Sequence, residues 1–169
     1  MVEVGFIAAG EAETVERLEQ AMLKLPPPVW ALFYLLLAAA LSHFAGWPRV
    51  PGLPVVPLAI GLVVLGGALS VSAAVLFRRA GTELSPTSRT NRKLVTSGPF
   101  GFTRNPMYLG LVIITLGVAV WGAAWPMFLA PAATFATANW VHIPFEEAKM
   151  RRQFGDAFDA YARTVRRWI

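Results

Sequence analysis

Three long stretches of this chain are almost free of charge. Residues 25–48 contain no Asp, Glu, Lys or Arg and have only His43 to take a proton, residues 50–77 contain no such residue, and residues 105–145 have only His142. An α-helix rises 1.5 Å per residue, so roughly 20 apolar residues cross the roughly 30 Å of hydrocarbon in a bilayer. The third stretch, at 41 residues, is long enough for two crossings, and Gly122, Trp125 and Pro126 near its middle mark a tight reversal. Four spans are predicted, at about 29–47, 53–77, 107–123 and 126–143. A chain with 56% hydrophobic residues and positive mean hydropathy is too apolar for an ordinary soluble domain. The expected class is an all-α integral membrane protein of one domain, with residues 1–28 as an N-terminal amphipathic segment, 29–77 as the first two spans and 78–169 as the region that carries chemistry.

Lysine and arginine near span ends are retained on the cytoplasmic side. The linker holds Arg78, Arg79, Arg89, Arg92, Lys93 and Arg104, and the tail holds Lys149, Arg151, Arg152, Arg163, Arg166 and Arg167. Both are expected in the cytoplasm, together with the N-terminus, while the link at Arg49 and the reversal at Trp125 face the other side. Basic residues flanking spans serve topology and anionic headgroups, so membrane lipids rather than nucleic acid are the expected partners. The N-terminal stretch "MVEVGFIAAGEAETVERLEQ" is acidic where a secretory signal is basic and then apolar. No cysteine is present, which removes disulfides and thiol-based catalysis or metal binding, and no metal site is expected.

Val15, Leu18, Met22 and Leu25 repeat at helical spacing and predict an amphipathic helix on the membrane surface. Gly66, Ser70 and Ala74, four residues apart, form a small-residue stripe along the second span and predict close helix packing. After Pro144 the apolar positions Phe154, Phe158, Tyr161, Val165 and Trp168 recur at four, three, four and three, which predicts a second amphipathic helix ending the chain at the interface.

Three polar features remain at the membrane boundary. In "VTSGPFGFTRNPMYLG", residues 95–110, Asn105 followed by Pro106 reads as a helix start, with Asn105 as N-cap and Pro106 at the first helical position. That leaves the "SGPF" run, Tyr108 and Gly110 without an account, although Tyr108 also suits an interfacial aromatic. Closely spaced Gly and Pro present backbone N–H and C=O groups in fixed directions, as a polar ligand requires. Second, Glu146 and Glu147 follow Pro144. Acidic residues suit a first helical turn, and Glu147 can pair with Arg151 four residues on, but two carboxylates at a span end also need partners in a poorly hydrated place. Third, Asn139, His142 and Glu146 follow at three and four, on one face if the helix continues past Pro144.

Taken together, "LVTSGPFGFTRNPMYLG", the apolar hairpin and "EEAKMRRQFGDAFDAYARTVRRWI" resemble the isoprenylcysteine carboxyl methyltransferase family and its phospholipid methyltransferase relatives, over about residues 78–169. The resemblance implies a small membrane enzyme that binds S-adenosylmethionine at its cytoplasmic face and methylates a lipophilic acceptor. Carried over by position, it implies that Leu94, Val95, Gly98 and Phe100 line the cofactor, that Asn105 stands where many members have histidine, that Tyr108 is the motif tyrosine, and that Glu146 and Glu147 are the paired glutamates. His142 falls where the prenylcysteine branch has a basic residue facing the substrate. Gly101 departs from the pattern, since many relatives have a basic residue there.

The residues fit such a cofactor chemically. Its ammonium suits Glu146, its carboxylate or ribose suits Asn105 and the "SGPF" backbone, and its apolar parts suit Leu94, Val95, Phe100 and Tyr108. Asn139, His142 and Glu147 are then the candidates for the catalytic side. Methyl transfer is an in-line displacement that positioning and exclusion of water can accelerate. A carboxylate or thiolate acceptor needs no base, and an amine needs one. A nicotinamide-dependent membrane reductase of the sterol-reductase type and a non-catalytic scaffold are the rival readings.

Overall fold

The computed structural model describes residues 25–81 and 93–169. The N-terminal amphipathic helix expected around Val15, Leu18 and Met22, and the linker arginines Arg89 and Arg92, lie outside the described residues.

The described residues are helical, with a single isolated bridge in place of any strand. The α-helices are α1 (Pro27–Phe44), α2 (Val56–Arg79), α3 (Pro106–Gly122), α4 (Leu129–Thr137), α5 (Ile143–Phe154) and α6 (Asp156–Thr164). Short 3-10 turns at Gly98–Gly101 and Trp125–Phe128 precede α3 and α4, and a π-helical turn at Ala138–His142 joins α4 to α5 without a break. Proline sits in the first turn of α1, α2, α3 and α5. There its missing N–H removes a donor that would have no partner.

Helices α1 and α2 are long and apolar enough to cross a membrane, yet only 11% of each is buried. Leu32, Leu36, Ile60, Val64 and Val71 lie more than half exposed. A soluble protein would cover such faces, whereas hydrocarbon leaves them at no cost. At 17 residues, α3 is apolar and shorter, with a length of about 25 Å.

Small residues set how the helices meet. Helix α2 packs on α3, where a methyl group placed on Gly66 would stand 2.5 Å from the Gly110 carbonyl oxygen, and one on Gly117 would stand 2.9 Å from the Ala59 carbonyl oxygen. The expected Gly66 stripe is therefore an interface, and Gly110 owes its place to the same contact. The Ser70 hydroxyl donates to the Met107 carbonyl at 3.3 Å across it. Because the obstructing atoms are backbone, Gly66→Ala must push the two helices apart, at an expected cost of about 1–3 kcal/mol. Thermal unfolding in nanodiscs checks this, with Gly67→Ala, a position open on all sides, as the comparison. On the other side of the bundle, Ala38 of α1, Ala119 of α3, and Ala124, Met127 and Ala130 around the reversal form a core that Tyr34 and Leu35 border.

The reversal falls where the sequence places it, although the left-handed residue is Ala123 (φ 55°), not Gly122. Gly122 is small because Met127 lies where its side chain would be. The Val50 N–H donates to the Ala123 carbonyl at 2.7 Å, which puts the α1–α2 link beside the reversal at one end of the bundle. Trp47, Trp121 and Trp125 are exposed at that end, as in an interfacial aromatic belt.

The C-terminal expectation requires correction. One continuous amphipathic helix is predicted, but Gly155 (φ 50°, ψ −127°) separates α5 from α6, α6 ends at Thr164, and Val165 is extended. Trp168 is not helical, and Phe158 is buried. The stripe turns inward onto the protein because Gly155 lets the chain bend where a side chain would be strained.

Candidate functional site

The segment before α3 and the last residues of the chain are tied together at the end opposite the reversal. Phe100, buried in the 3-10 turn, stacks on Phe77 of α2 with ring centroids 4.8 Å apart, and its carbonyl accepts the Tyr161 hydroxyl at 2.7 Å. Burial pushes the Tyr161 hydroxyl up to about 12 against the opposing charge of Arg104. Arg104 organises the junction. Its backbone N–H donates to the Arg166 carbonyl at 2.9 Å. One guanidinium nitrogen donates to the carbonyls of Ala162 and Val165 at 2.9 and 2.6 Å, and the other to Glu147 Oε1 at 2.8 Å. Guanidinium hydrogens suit the carbonyls left without donors at the end of α6.

Glu147 is the second half of this clasp. Its Oε2 accepts from Arg167 Nη2 at 2.7 Å, and the residue is 6% exposed. Burial alone would raise its pKa, but hydrogen bonds from Arg167 and Arg104, with their charges, hold the carboxyl below its ordinary range. The expected pairing of Glu147 with Arg151 is replaced, because Arg151 turns to Asp159 at 3.1 Å on the surface. Asn105 also departs from its predicted role. It occupies the N-cap position of α3, but its side chain makes no cap hydrogen bond. Pro106 has already removed one donor there, and Asn105 Nδ2 donates to the Arg167 carbonyl at 2.9 Å, beside Thr103 Oγ1 on the same oxygen at 3.2 Å.

A different group gathers around Tyr108, in the first turn of α3. The helix does continue past Pro144. Because a proline nitrogen cannot donate to the carbonyl four residues back, the preceding turn widens, and the Ile143 N–H reaches the Ala138 carbonyl five residues back. Beyond this turn both His142 and Glu146 meet Tyr108. The imidazole of His142 stacks on the phenol ring with centroids 5.9 Å apart, and the Tyr108 hydroxyl donates to Glu146 Oε1 at 2.7 Å. Glu146 is partly buried overall, but its carboxyl end is dehydrated, which pushes it up to about 7 against the lowering effects of the Tyr108 hydrogen bond and the Lys149 charge. Asn139, the third residue of the expected row, has its Oδ1 occupied by Trp168 Nε1 at 3.0 Å. Trp168 in turn lies against Phe135 at 4.7 Å and borders the cluster of Tyr108, Ala138 and Ile143, so the tail covers this group.

Next to Tyr108 is a narrow cleft, with room for no more than about one water molecule, lined by Pro27, Trp30, Leu111, Thr134, Thr137, Ala138 and His142. His142 is 1% exposed and Thr134 6%, yet neither ring nitrogen of His142 nor the Thr134 hydroxyl has a hydrogen-bond partner. Thr137 is satisfied, sharing a hydrogen bond of 2.7 Å with the Tyr34 hydroxyl. Buried polar groups are normally paired, with protein or with ordered water, so these three atoms are the unsatisfied polar groups of the cleft.

The predicted site residues thus divide. Tyr108, His142 and Glu146 come together. Asn105 and Glu147 belong to the clasp, and Asn139 holds the tail. Phe100 is packed under the loop, Gly98 (φ 61°) stands against Leu76, and Leu94 and Val95 are half-buried where the loop begins. Sequence reasoning gave Arg104 and Arg167 only a topological role and left Thr134 and Trp30 inside apolar runs. The sole signal for Arg104 was its place in "FTRNP", next to the span; Thr134 has none.

Residues 55–157 match the phospholipid methyltransferase family, beginning one helix upstream of the motifs that carry the resemblance. Protein-S-isoprenylcysteine O-methyltransferase B of Arabidopsis thaliana is 29% identical over 141 residues, which are 77% of this chain and 68% of that protein. No solved structure matches. The clustered Tyr108, His142 and Glu146 all lie within the matched residues. The chain belongs to the phospholipid methyltransferase family and is a membrane methyltransferase.

Proposed function

We propose that this protein takes its methyl group from S-adenosylmethionine, bound between Glu146, Tyr108 and the loop 94–105, and passes it to a lipophilic acceptor beside His142. The observation that carries the reading is Glu146. Its dehydrated carboxyl is fixed by the Tyr108 hydroxyl, while the nearby guanidinium groups go to Glu147. A carboxyl pushed up to about 7 by burial gains from a cation placed against it. The ammonium of the cofactor is such a cation, so the residues fit the group. When bound, S-adenosylmethionine supplies a methyl carbon activated by a sulfonium.

The chain's own residues then have distinct tasks. Glu146 holds the ammonium, and Tyr108 orients Glu146. Leu94, Val95, Gly98 and Phe100 wall the apolar parts. Asn105 and Glu147 act as positioning residues: through the Arg167 carbonyl and the two guanidinium groups they hold the tail, and Trp168 with Asn139 closes the site against water. Exclusion of water and alignment are what an in-line displacement needs most. Calorimetric titration of S-adenosylmethionine into the protein in nanodiscs tests the reading, and absence of binding refutes it.

The reading includes four spans, with both termini and the clasp in the cytoplasm. The grouping of Arg49 with the reversal, and of the basic segments at the opposite end, supports this. A reporter fused after Ile169 is expected inside and one inserted next to Trp125 outside; both on one side would remove the hairpin.

A further inference from the structure

We infer that the C-terminal tail docks on anionic lipid headgroups, so that the bilayer itself helps to close the donor site, an inference that rests on the reading that S-adenosylmethionine lies beneath this tail. Arg167 fixes the tail to Glu147, and Trp168 carries it further. The ring centroids of Trp168 and Phe135 are 4.7 Å apart, and Phe135 belongs to α4, two residues before its end. The tail thus runs from the polar clasp back to the flank of an apolar helix. The surface around that point is apolar and open, with Trp140 68% exposed, Phe135 37% and Ile169 75%. Tryptophan favours the boundary between headgroups and hydrocarbon, which sets Trp140 and Trp168 at that depth.

The charges beside this patch are of one sign. Residues 160–169 hold Arg163, Arg166 and Arg167 and no Asp or Glu. Arg167 is neutralised by Glu147. Arg163 and Arg166 are exposed, and neither forms an ion pair with any described residue. Aromatic rings at the boundary with two unneutralised guanidinium groups beside them match a leaflet of negative headgroups, whose phosphate oxygens a guanidinium binds in pairs.

Docking is coupled to the donor site through Trp168. Its Nε1 donates to Asn139 Oδ1, and its ring borders the cluster of Tyr108, Ala138 and Ile143. A surface that favours the docked tail favours the closed site, and by linkage it tightens the hold on a donor within. Each arginine brought to an anionic surface favours docking about fivefold, so the pair sets a ceiling of about twenty-five-fold on the gain in affinity.

The test compares full-length protein in nanodiscs of phosphatidylcholine alone and of phosphatidylcholine mixed with phosphatidylglycerol. Calorimetric affinity for S-adenosylmethionine is expected to be about tenfold tighter in the anionic discs, a gain that high salt removes. Because the chain has no cysteine, Ile169→Cys takes a single environment-sensitive dye. Its emission should shift to the blue, and brominated lipid should quench it more strongly, in the anionic discs. Arg163→Gln with Arg166→Gln should abolish both differences between discs, and Arg163→Lys with Arg166→Lys, which keeps the charges, should preserve them. The donor is itself a cation that a negative surface concentrates, so a gain that survives in the glutamine variant belongs to the donor's own charge and overturns the role of the tail. A dye indifferent to lipid charge overturns docking. A dye signal that follows the number of proteins per disc assigns the patch to a second copy and overturns it too. Absence of donor binding in every disc refutes the donor reading and the coupling with it, while the dye still decides whether the tail docks.

Discussion

Glu147→Gln is expected to lower stability by about 3–5 kcal/mol, the range for removing one partner of a buried ion pair. The variant keeps the shape of the side chain but leaves the guanidinium groups of Arg104 and Arg167 facing each other across a neutral amide. Arg104 is largely buried, at 12% side-chain exposure, so solvent cannot fully replace the lost charge. The loss should not remain local. Arg104 also holds the end of α6 and the Arg166 carbonyl, so loosening it frees the tail and Trp168 with it. Unfolding in nanodiscs gives the magnitude, and quenching of tryptophan fluorescence by a soluble quencher reports release of Trp168. Asp159→Asn, which breaks the exposed pair with Arg151, provides the contrast, with an expected change under about 1 kcal/mol. The pH dependence has a definite sign. Because the folded protein holds the Glu147 carboxyl below its ordinary value of 4.5, its contribution is complete above that value and disappears as pH falls through the lower folded one. Equal stability of Glu147→Gln and the parent protein would mean that the clasp holds nothing.

Glu146 should behave in the opposite sense, and its main effect is on binding. Glu146→Gln is expected to weaken S-adenosylmethionine binding by about 1.5–3 kcal/mol, the worth of a hydrogen bond to a charged group. Its carboxyl is pushed up from an ordinary 4.5 to about 7, so the folded state binds this proton more tightly than the unfolded chain does. Stability from this group therefore declines as pH rises from 4.5 to about 7 and is flat above. Ligand binding runs the other way. An ammonium requires the ionised carboxylate, so affinity should drop about tenfold per pH unit as pH falls below about 7, until the proton is lost on binding no longer. Calorimetry at several pH values checks both statements at once. The glutamine variant should be weak and independent of pH across that window, and an undiminished pH slope in it would assign the titration to another group.

The two adjacent glutamates show where local reading stops. From the sequence both were boundary carboxylates after a proline; spacing put Glu146 in line with Asn139 and His142 and offered Glu147 Arg151 four residues on, but it named neither carboxylate's actual partner. In the folded protein one faces two guanidinium groups and the other a phenol, because successive helical positions point about 100° apart and meet different neighbours. Those neighbours are Arg104, 43 residues before Glu147, and Tyr108, 38 residues before Glu146. The C-terminal stripe is a related case. Its apolar spacing was legible, and the bend at Gly155 was not, so a face expected to lie on the membrane covers the protein instead.

The sequence by itself determined the features that depend on neighbours along the chain: the apolar runs that form α1 to α4, the reversal after Gly122, the small-residue face of α2, the helix start at Pro106, and the gathering of His142 and Glu146 on one side of a helix. Hydrophobic spacing, proline and small side chains act over one or two turns, and that range is what a single sequence displays. Tertiary structure alone decided that Arg104 and Arg167 close on Glu147, that Asn105 and Asn139 serve the tail, and that the buried polar atoms of His142 and Thr134 open onto one cleft without partners. Each of these depends on which helix faces which, and that is set by packing among residues tens of positions apart, where periodicity carries no information.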